Sequence, residues 1–325
     1  MSINKLSTDI NIENIKGKIN LGLCCINTQL RKQKTPIFNS RTCIRANYTV
    51  EKAQQLALQN VKDLIPMLKY NDQHNIRCFR LTSNFFPHAT DPEVEPACFR
   101  LTNPYLKEAG DLAREYGIRL LMHPGQYNQV GAKSKDVFDK TCWDLEVHAD
   151  ILDSMGVDNN GVLIVHGGGT YGDKETTKQR WVEQFFKLPG NVQKRLVLEN
   201  CEKCYSLDDV LDISQRVKNS GGDLPVVFDS HHYECYDLLH PDDLQSSLKT
   251  LLPRVVESWG ERRPVMHVSN QGEGKVGHHS DYIYSLPDCF LYVANELETS
   301  FDLEVEAKAK EQAIFSLRET YPKLF

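Results

Sequence analysis

Gly161-Val162-Leu163-Ile164-Val165-His166, followed after a glycine-containing turn by an amphipathic stretch over 174–186, reads as one buried strand, one loop and one helix. Working outward, the same unit recurs. Short apolar, β-branched runs bounded by turn signals occupy 19–26, 76–82, 118–123, 195–200, 224–229, 264–269 and 301–306. Helical periodicity fills 49–70, 103–116, 137–155, 207–217, 242–258 and 307–320, and only the segment after the seventh run lacks a clear pattern. Strands and helices in strict alternation imply a parallel sheet, and eight such units imply closure. The expectation is an α/β fold, a (β/α)8 TIM barrel in a single domain over 16–325, with 1–15 a polar amino-terminal extension. A doubly wound open sheet is the runner-up, but no glycine-rich phosphate loop follows the first run.

A chain of 325 residues with 40% apolar side chains can bury a substantial core. It contains no run of about 18 apolar residues, and its first residues, MSINKLSTDINIENIKGK, lack the apolar centre of a signal peptide. A soluble intracellular protein with no membrane partner is therefore expected. Ten scattered cysteines fit reduced thiols better than a disulfide framework. The pair Cys201 and Cys204 stands alone, whereas a zinc ribbon needs a second pair. The net charge of −6 fits poorly with a polyanionic partner, yet 27–49 carries Arg31, Lys32, Lys34, Arg41 and Arg45 with no acid. That segment is a candidate phosphate grip, with a solvated basic loop as the alternative.

The last six runs each carry a potential metal ligand at or beside their final residue: His123, His166, Glu199, Asp229, His267 and Glu306. His232 and His279 lie just beyond the sixth and seventh. In a closed barrel these carboxyl-terminal ends meet at one rim, where barrel enzymes keep their active sites. A single histidine at a strand end is ordinarily structural; the same feature on six strands of eight is a pattern. Mixed imidazole and carboxylate donors suit Mn2+, Zn2+ or Fe2+ better than calcium or magnesium. Eight donors exceed one tetrahedral site, so two or three divalent transition ions sharing carboxylates are expected, the usual equipment for in-line attack on a phosphodiester. Acids loaded with cations would also present positive potential to phosphate, offsetting the net charge. No convincing Ser/His/Asp triad is present.

The stretch Met122-His123-Pro124-Gly125-Gln126-Tyr127 closely resembles the His-Pro-Gly-Gln-Tyr signature of the ultraviolet damage endonucleases. Other stretches similar to that family follow in the same order: Leu21-Gly22-Leu23 through Asn27, Phe79-Arg80-Leu81-Thr82-Ser83-Asn84 with Pro87-His88, Val165-His166-Gly167-Gly168, Leu198-Glu199-Asn200, Phe228-Asp229-Ser230-His231-His232, His267-Val268-Ser269, and Glu306-Ala307-Lys308-Ala309-Lys310. The resemblance implies a barrel endonuclease with a metal cluster, manganese foremost. Such enzymes nick duplex DNA immediately 5′ to cyclobutane pyrimidine dimers, 6-4 photoproducts and abasic sites, leaving a 3′-hydroxyl and a 5′-phosphate for downstream repair enzymes.

Carried over residue by residue, the resemblance implies ligation by His123, His166, Glu199, Asp229, His232, His267, His279 and Glu306, with Glu199, Asp229, His232 and Glu306 assigned to catalysis. His278, adjacent to His279, stays an alternative, and His231 reads better as an imidazole behind the ligands or exposed. Gln126 and Tyr127 fall on the family's damage probe; from the residues alone, Pro124-Gly125 accounts only for a turn. A planar aromatic and an amide inserted at a poorly stacked lesion would fill the gap at lower cost than in intact DNA. Asn27 matches a polar residue near the probe, but Leu23 stands where a tyrosine often occurs. Val265 stands where many members carry a lysine at the metal site, so incomplete metal filling is expected. Lys308 matches a family lysine that could meet phosphate or serve as a plain ion-pair partner; Arg41 and Arg45 complete the expected DNA contacts. The rivals are an abasic-site nuclease resembling endonuclease IV, a metal-dependent sugar isomerase and a non-catalytic damage-binding module.

Overall fold

Each of the eight apolar runs forms a strand: β1 (Ile19–Cys24), β2 (Cys78–Leu81), β3 (Arg119–Met122), β4 (Leu163–His166), β5 (Leu196–Glu199), β6 (Val226–Asp229), β7 (Val265–Val268) and β8 (Phe301–Val305). Neighbours pair in parallel and β8 pairs with β1, so the chain is a closed (β/α)8 TIM barrel, as the alternation predicts. The structure, a computed structural model, describes residues 15–325. The extension expected over 1–15 lies, apart from Ile15, outside the described residues.

The outer layer contains α1 (Thr28–Arg31), α2 (Val50–Gln73), α3 (Asn103–Glu115), α4 (Lys135–Ser154), α5 (Lys174–Phe185), α6 (Gly190–Gln193), α7 (Leu207–Asn219), α8 (Ser230–Leu239), α9 (Leu248–Ser258), α10 (Asp288–Asn295) and α11 (Glu311–Thr320). Three differences from the sequence reading bear on the site. The 242–258 pattern is helical only from Leu248, and an unexpected helix, α8, follows β6 with no intervening loop. Its start is explained by Asp229, whose carboxylate accepts from the His232 N–H and so caps the helix with the last residue of the strand. The 307–320 pattern begins as a helix only at Glu311, because Lys310 takes a φ of 55°. The buried Glu311 carboxylate turns back to accept from the N–H groups of Thr28 and Gln29 at 2.7 and 2.9 Å, tying the end of β8 to α1.

Side chains alternate across each strand, so one set packs outward against the helices and the other fills the barrel. Cys78, Leu121, Val162, Ile164, Val197, Val227 and Val265 form, with Trp259, an apolar cluster separate from the main core. Beside it Asp302, fully buried, accepts from Asn20 at 3.0 Å and from Arg119 and Arg263 at 2.9 Å each. Replacing Asp302 with Ala would leave Arg119 buried without its counter-charge. The expected loss, read by urea unfolding, is about 3–5 kcal/mol; a loss below about 1 kcal/mol would show that this carboxylate is not the hub of the barrel floor.

Candidate metal centre

The inward positions at the carboxyl-terminal ends of six strands bring His123, His166, Glu199, Asp229, His267 and Glu306 to one rim. Glu199 is at the middle. Its Oε2 lies 2.8 Å from His123 Nε2 and 3.8 Å from His166 Nε2, while its Oε1 lies 3.0 Å from His267 Nδ1 and 3.3 Å from His232 Nδ1. Asp229 Oδ2 stands 3.7 Å from His232 Nδ1 and 3.9 Å from His267 Nδ1. Glu306 faces His267 at 3.5 Å and His279 at 3.7 Å. Asn200 locks two strand ends together: it accepts from Asp229 N at 2.8 Å, donates to Asp229 O at 3.0 Å, and offers its own carbonyl to His232 Nδ1 at 3.1 Å.

These residues form three overlapping donor groups, His123 with His166 and Glu199, Glu199 with Asp229 and His232, and Asp229 with His267 and Glu306. Glu199 and Asp229 belong to two groups each. Buried side chains of this kind could hold metal ions, and two of their atoms fit that use. Asp229 Oδ2 and His166 Nδ1 are buried with no hydrogen-bond partner, and an unsatisfied buried carboxylate oxygen is costly unless something cationic faces it.

The electrostatics agree. Burial lowers the His166 pKa to about 4, leaving a neutral ring free to donate its lone pair. Burial acts the same way on His267, but the Glu199 carboxylate overrides it and raises the pKa to about 10. Burial pushes Glu199 up, yet the surrounding imidazoles, His267 first, hold it well below the usual carboxylate range. For Glu306, Arg80 and then His267 outweigh burial and lower it likewise.

The turn that follows His123 is braced from below. Asn128 donates from its side chain to Gly125 O at 3.0 Å and to the buried Asp144 at 2.8 Å. Gln126 and Tyr127 remain at the exposed tip, Tyr127 being 67% exposed. Gln129 ties the turn to the loop after β4, donating to Gln126 O at 3.0 Å and accepting from Gly169 N at 2.7 Å. The glycines of that loop allow the approach: Gly168 has a φ of 84°, and a side chain on Gly167 would strike the Tyr205 ring.

The remaining expected residues lie as follows. Asn27 is buried, and its side chain caps α1 by accepting from Leu30 N. Arg41 pairs with Asp63 at 2.7 Å, and Arg45 pairs with Asp91 and Glu93, so both are engaged by acids; Arg31, Lys32 and Lys34 are exposed. Lys308 is exposed and pairs with no carboxylate among the described residues. His278 turns away to the Glu273 carbonyl. His231 is buried against Cys235 and edge-on to His279, so of the two alternatives it is the one behind the rim. The ten cysteines are free thiols, and Cys201 Sγ accepts from the backbone of Cys204 and Tyr205. Leu23 and Val265 are fully buried. Sequence reasoning assigned no role to Arg80, Glu304, Asn200 or Gln129. For Arg80 and Glu304 the signal was present, since a charged residue on the inward face of a barrel strand needs a partner there.

The family described as UV-endonuclease UvdE matches residues 19–324. A putative UV-damage endonuclease of Acanthamoeba polyphaga mimivirus is 35% identical over 92% of this chain and 90% of its own. The UV-damage endonuclease of Schizosaccharomyces pombe is 33% identical over 93% of this chain, which spans half of that relative's length. Among solved structures, that of SacUVDE superposes with a TM-score of 0.80 at 30% identity, over 94% of this chain and 100% of that one. Endonuclease IV from Thermus thermophilus shares the fold, with a TM-score of 0.57 at 14% identity over 94% and 98%.

Proposed function

Since the chain belongs to the UV-endonuclease UvdE family, and is thereby a UV-damage endonuclease, we propose that it cuts damaged duplex DNA at a centre of two or three divalent ions, Mn2+ foremost with Zn2+ or Fe2+ as alternatives. The observation that carries this reading is the sharing of Glu199 and Asp229 among three donor groups beside the exposed Gln126-Tyr127 turn. The nick falls immediately 5′ to cyclobutane dimers, 6-4 photoproducts or abasic sites and leaves a 3′-hydroxyl and a 5′-phosphate, which downstream repair enzymes would extend and seal.

His123, His166, Glu199, Asp229, His232, His267, His279 and Glu306 would hold the ions. Bound there, divalent ions supply a water of lowered pKa and neutralise charge developing on the phosphate. Glu199, Asp229, His232 and Glu306 orient that chemistry by fixing where the ions sit. Gln126 and Tyr127 fill the space a lesion vacates. Lys308, exposed two residues beyond Glu306, meets the phosphate backbone. Arg45, half exposed, would meet phosphate by leaving Glu93 and the largely buried Asp91, whereas Arg41 shapes the basic loop that Arg31, Lys32 and Lys34 complete. Asn27 holds the start of that loop. No helix among the described residues is long and apolar enough to cross a membrane.

Nicking of irradiated supercoiled plasmid, with and without EDTA, tests the reading together with elemental analysis of protein purified without chelator. Full activity in EDTA with less than about one equivalent of metal would overturn it.

A pH effect follows. His267, protonated near neutrality because its pKa is raised to about 10, must give up that proton to become a ligand. The charged ring stabilises the metal-free fold fully below the unfolded value near 6.5, and that contribution disappears as pH rises through about 10. Mn2+ affinity should therefore rise with pH between those limits. Titration calorimetry at pH 7.5 in buffers of differing ionisation enthalpy should show release of on the order of one or two protons; uptake heats independent of the buffer would contradict it.

A further inference from the structure

Below the rim lies a carboxylate that belongs to none of the three donor groups. Glu304 is fully buried on β8, in register with His267 on β7. Its Oε2 lies 3.0 Å from His267 Nε2, 2.6 Å from Arg80 Nη2 and 2.9 Å from Arg80 Nε. Arg80 Nη2 also reaches Glu306 Oε1 at 2.5 Å and approaches His267 Nε2 to 3.1 Å.

The His267 ring thus has two edges with different surroundings. Its Nδ1 edge faces Glu199, Glu306 and Asp229 at 3.0, 3.5 and 3.9 Å, and its Nε2 edge faces Glu304 and Arg80. An imidazole ligates through its unprotonated nitrogen, so a neutral ring offering Nδ1 to a cation must keep its proton on Nε2. That proton needs an acceptor. Arg80 has only donors to offer, so its 3.1 Å contact to Nε2 must give way once that nitrogen carries the proton, which leaves Glu304 Oε2 at 3.0 Å. We infer that Glu304 is a positioning residue of the metal centre, accepting the Nε2–H of His267 and thereby fixing the ring orientation and tautomer that present Nδ1 to a divalent cation. Arg80 holds the carboxylate through two charge-assisted hydrogen bonds and cancels its charge. Hydrogen bonds of this kind to the far nitrogen of a ligating histidine govern both its angle and its basicity.

The inference rests on the metal-centre reading above, and a two-part experiment separates the two. In the metal-free protein, proton–nitrogen NMR should show a protected His267 Nε2–H resonance that is retained in Glu304→Gln, which keeps an oxygen acceptor, and lost in Glu304→Leu. Titration with Mn2+ should then give an affinity within about threefold of the parent for Glu304→Gln and a loss of about 10–100-fold for Glu304→Leu. A double variant, Arg80→Met with Glu304→Leu, removes both partners of this buried pair and serves if the single Leu variant does not fold. It should also lose the resonance and the affinity. The inference is overturned if the resonance survives Glu304→Leu, if Glu304→Gln loses as much affinity as Glu304→Leu, or if the double variant binds Mn2+ like the parent. The last result would mean that the loss in the single Leu variant comes from freed Arg80 capturing Glu306. A parent protein that takes up no Mn2+ defeats the metal-centre reading instead, and the resonance comparison still decides whether Glu304 orients His267.

Discussion

Glu199→Ala is expected to reduce nicking of irradiated plasmid by at least about a hundredfold and to lower the metal content of the purified protein. The size of the effect follows from the position of the side chain. One carboxylate lies within 4 Å of four imidazoles, on His123, His166, His232 and His267, and belongs to two of the three donor groups. Its removal leaves those imidazoles without their shared counter-charge, so two binding positions are degraded by one change. Asp229 should behave in the same way while separating structure from chemistry. Asp229→Asn keeps a side-chain oxygen able to accept from His232 N and cap α8, but it removes the charge at the unpartnered Oδ2. Asp229→Ala gives up the cap as well, at a further cost of about 1 kcal/mol in stability. Both should abolish nicking, with thermal unfolding distinguishing them. A Glu199→Ala or Asp229→Asn protein that nicks at near the parent rate would sink the assignment of these carboxylates to the centre.

The barrel was legible because its signal is redundant: eight runs such as Leu196–Glu199 and Val226–Asp229 all repeat one short apolar pattern with a turn after it. The same periodicity aimed the donors, since a strand whose last inward residue is His166 or Glu199 has no other direction to point them. What escaped reading was set by contacts between distant segments. Helix α8 contains Ser-His-His-Tyr-Glu-Cys-Tyr, a stretch with no strong helical pattern, and it forms where the Asp229 cap and burial of Tyr233, Cys235 and Tyr236 favour it. The shortfall of helix at 242–247 has the same origin, because Tyr233 and Asp208 hold Ser246 in a loop. Arg41 and Arg45 illustrate the limit from the other side. A basic run without acids reads as free charge, but Asp63, Asp91 and Glu93 reach it from later segments. Glu304 was readable only by alternation: it shares its strand face with Glu306, yet nothing in sequence says which residue stands across the barrel from it.

Replacing both Gln126 and Tyr127 with Ala should leave metal content near the parent value while damage-specific nicking falls about tenfold to a hundredfold. The estimate comes from stacking on a base, worth about 1–3 kcal/mol by alanine substitution. The separation is expected because the turn is braced independently of its tip. Asn128 bonds to Gly125 O and Asp144, and Gln129 bonds to Gly169, whereas Gln126 and Tyr127 project from that frame as exposed side chains. His123 lies only a few residues earlier but on the inward side, 2.8 Å from Glu199, so His123→Ala should lower metal content and activity together. Lesion type gives a further contrast. An abasic site is flexible and already lacks a base, so little has to be unstacked before the backbone reaches the rim; a pyrimidine dimer is compact and needs the gap filled. The double variant should therefore retain more activity on a duplex with one abasic site than on a matched duplex with one dimer. If it cuts both as well as the parent does, Gln126 and Tyr127 form only a turn, and recognition of the lesion lies elsewhere on the rim.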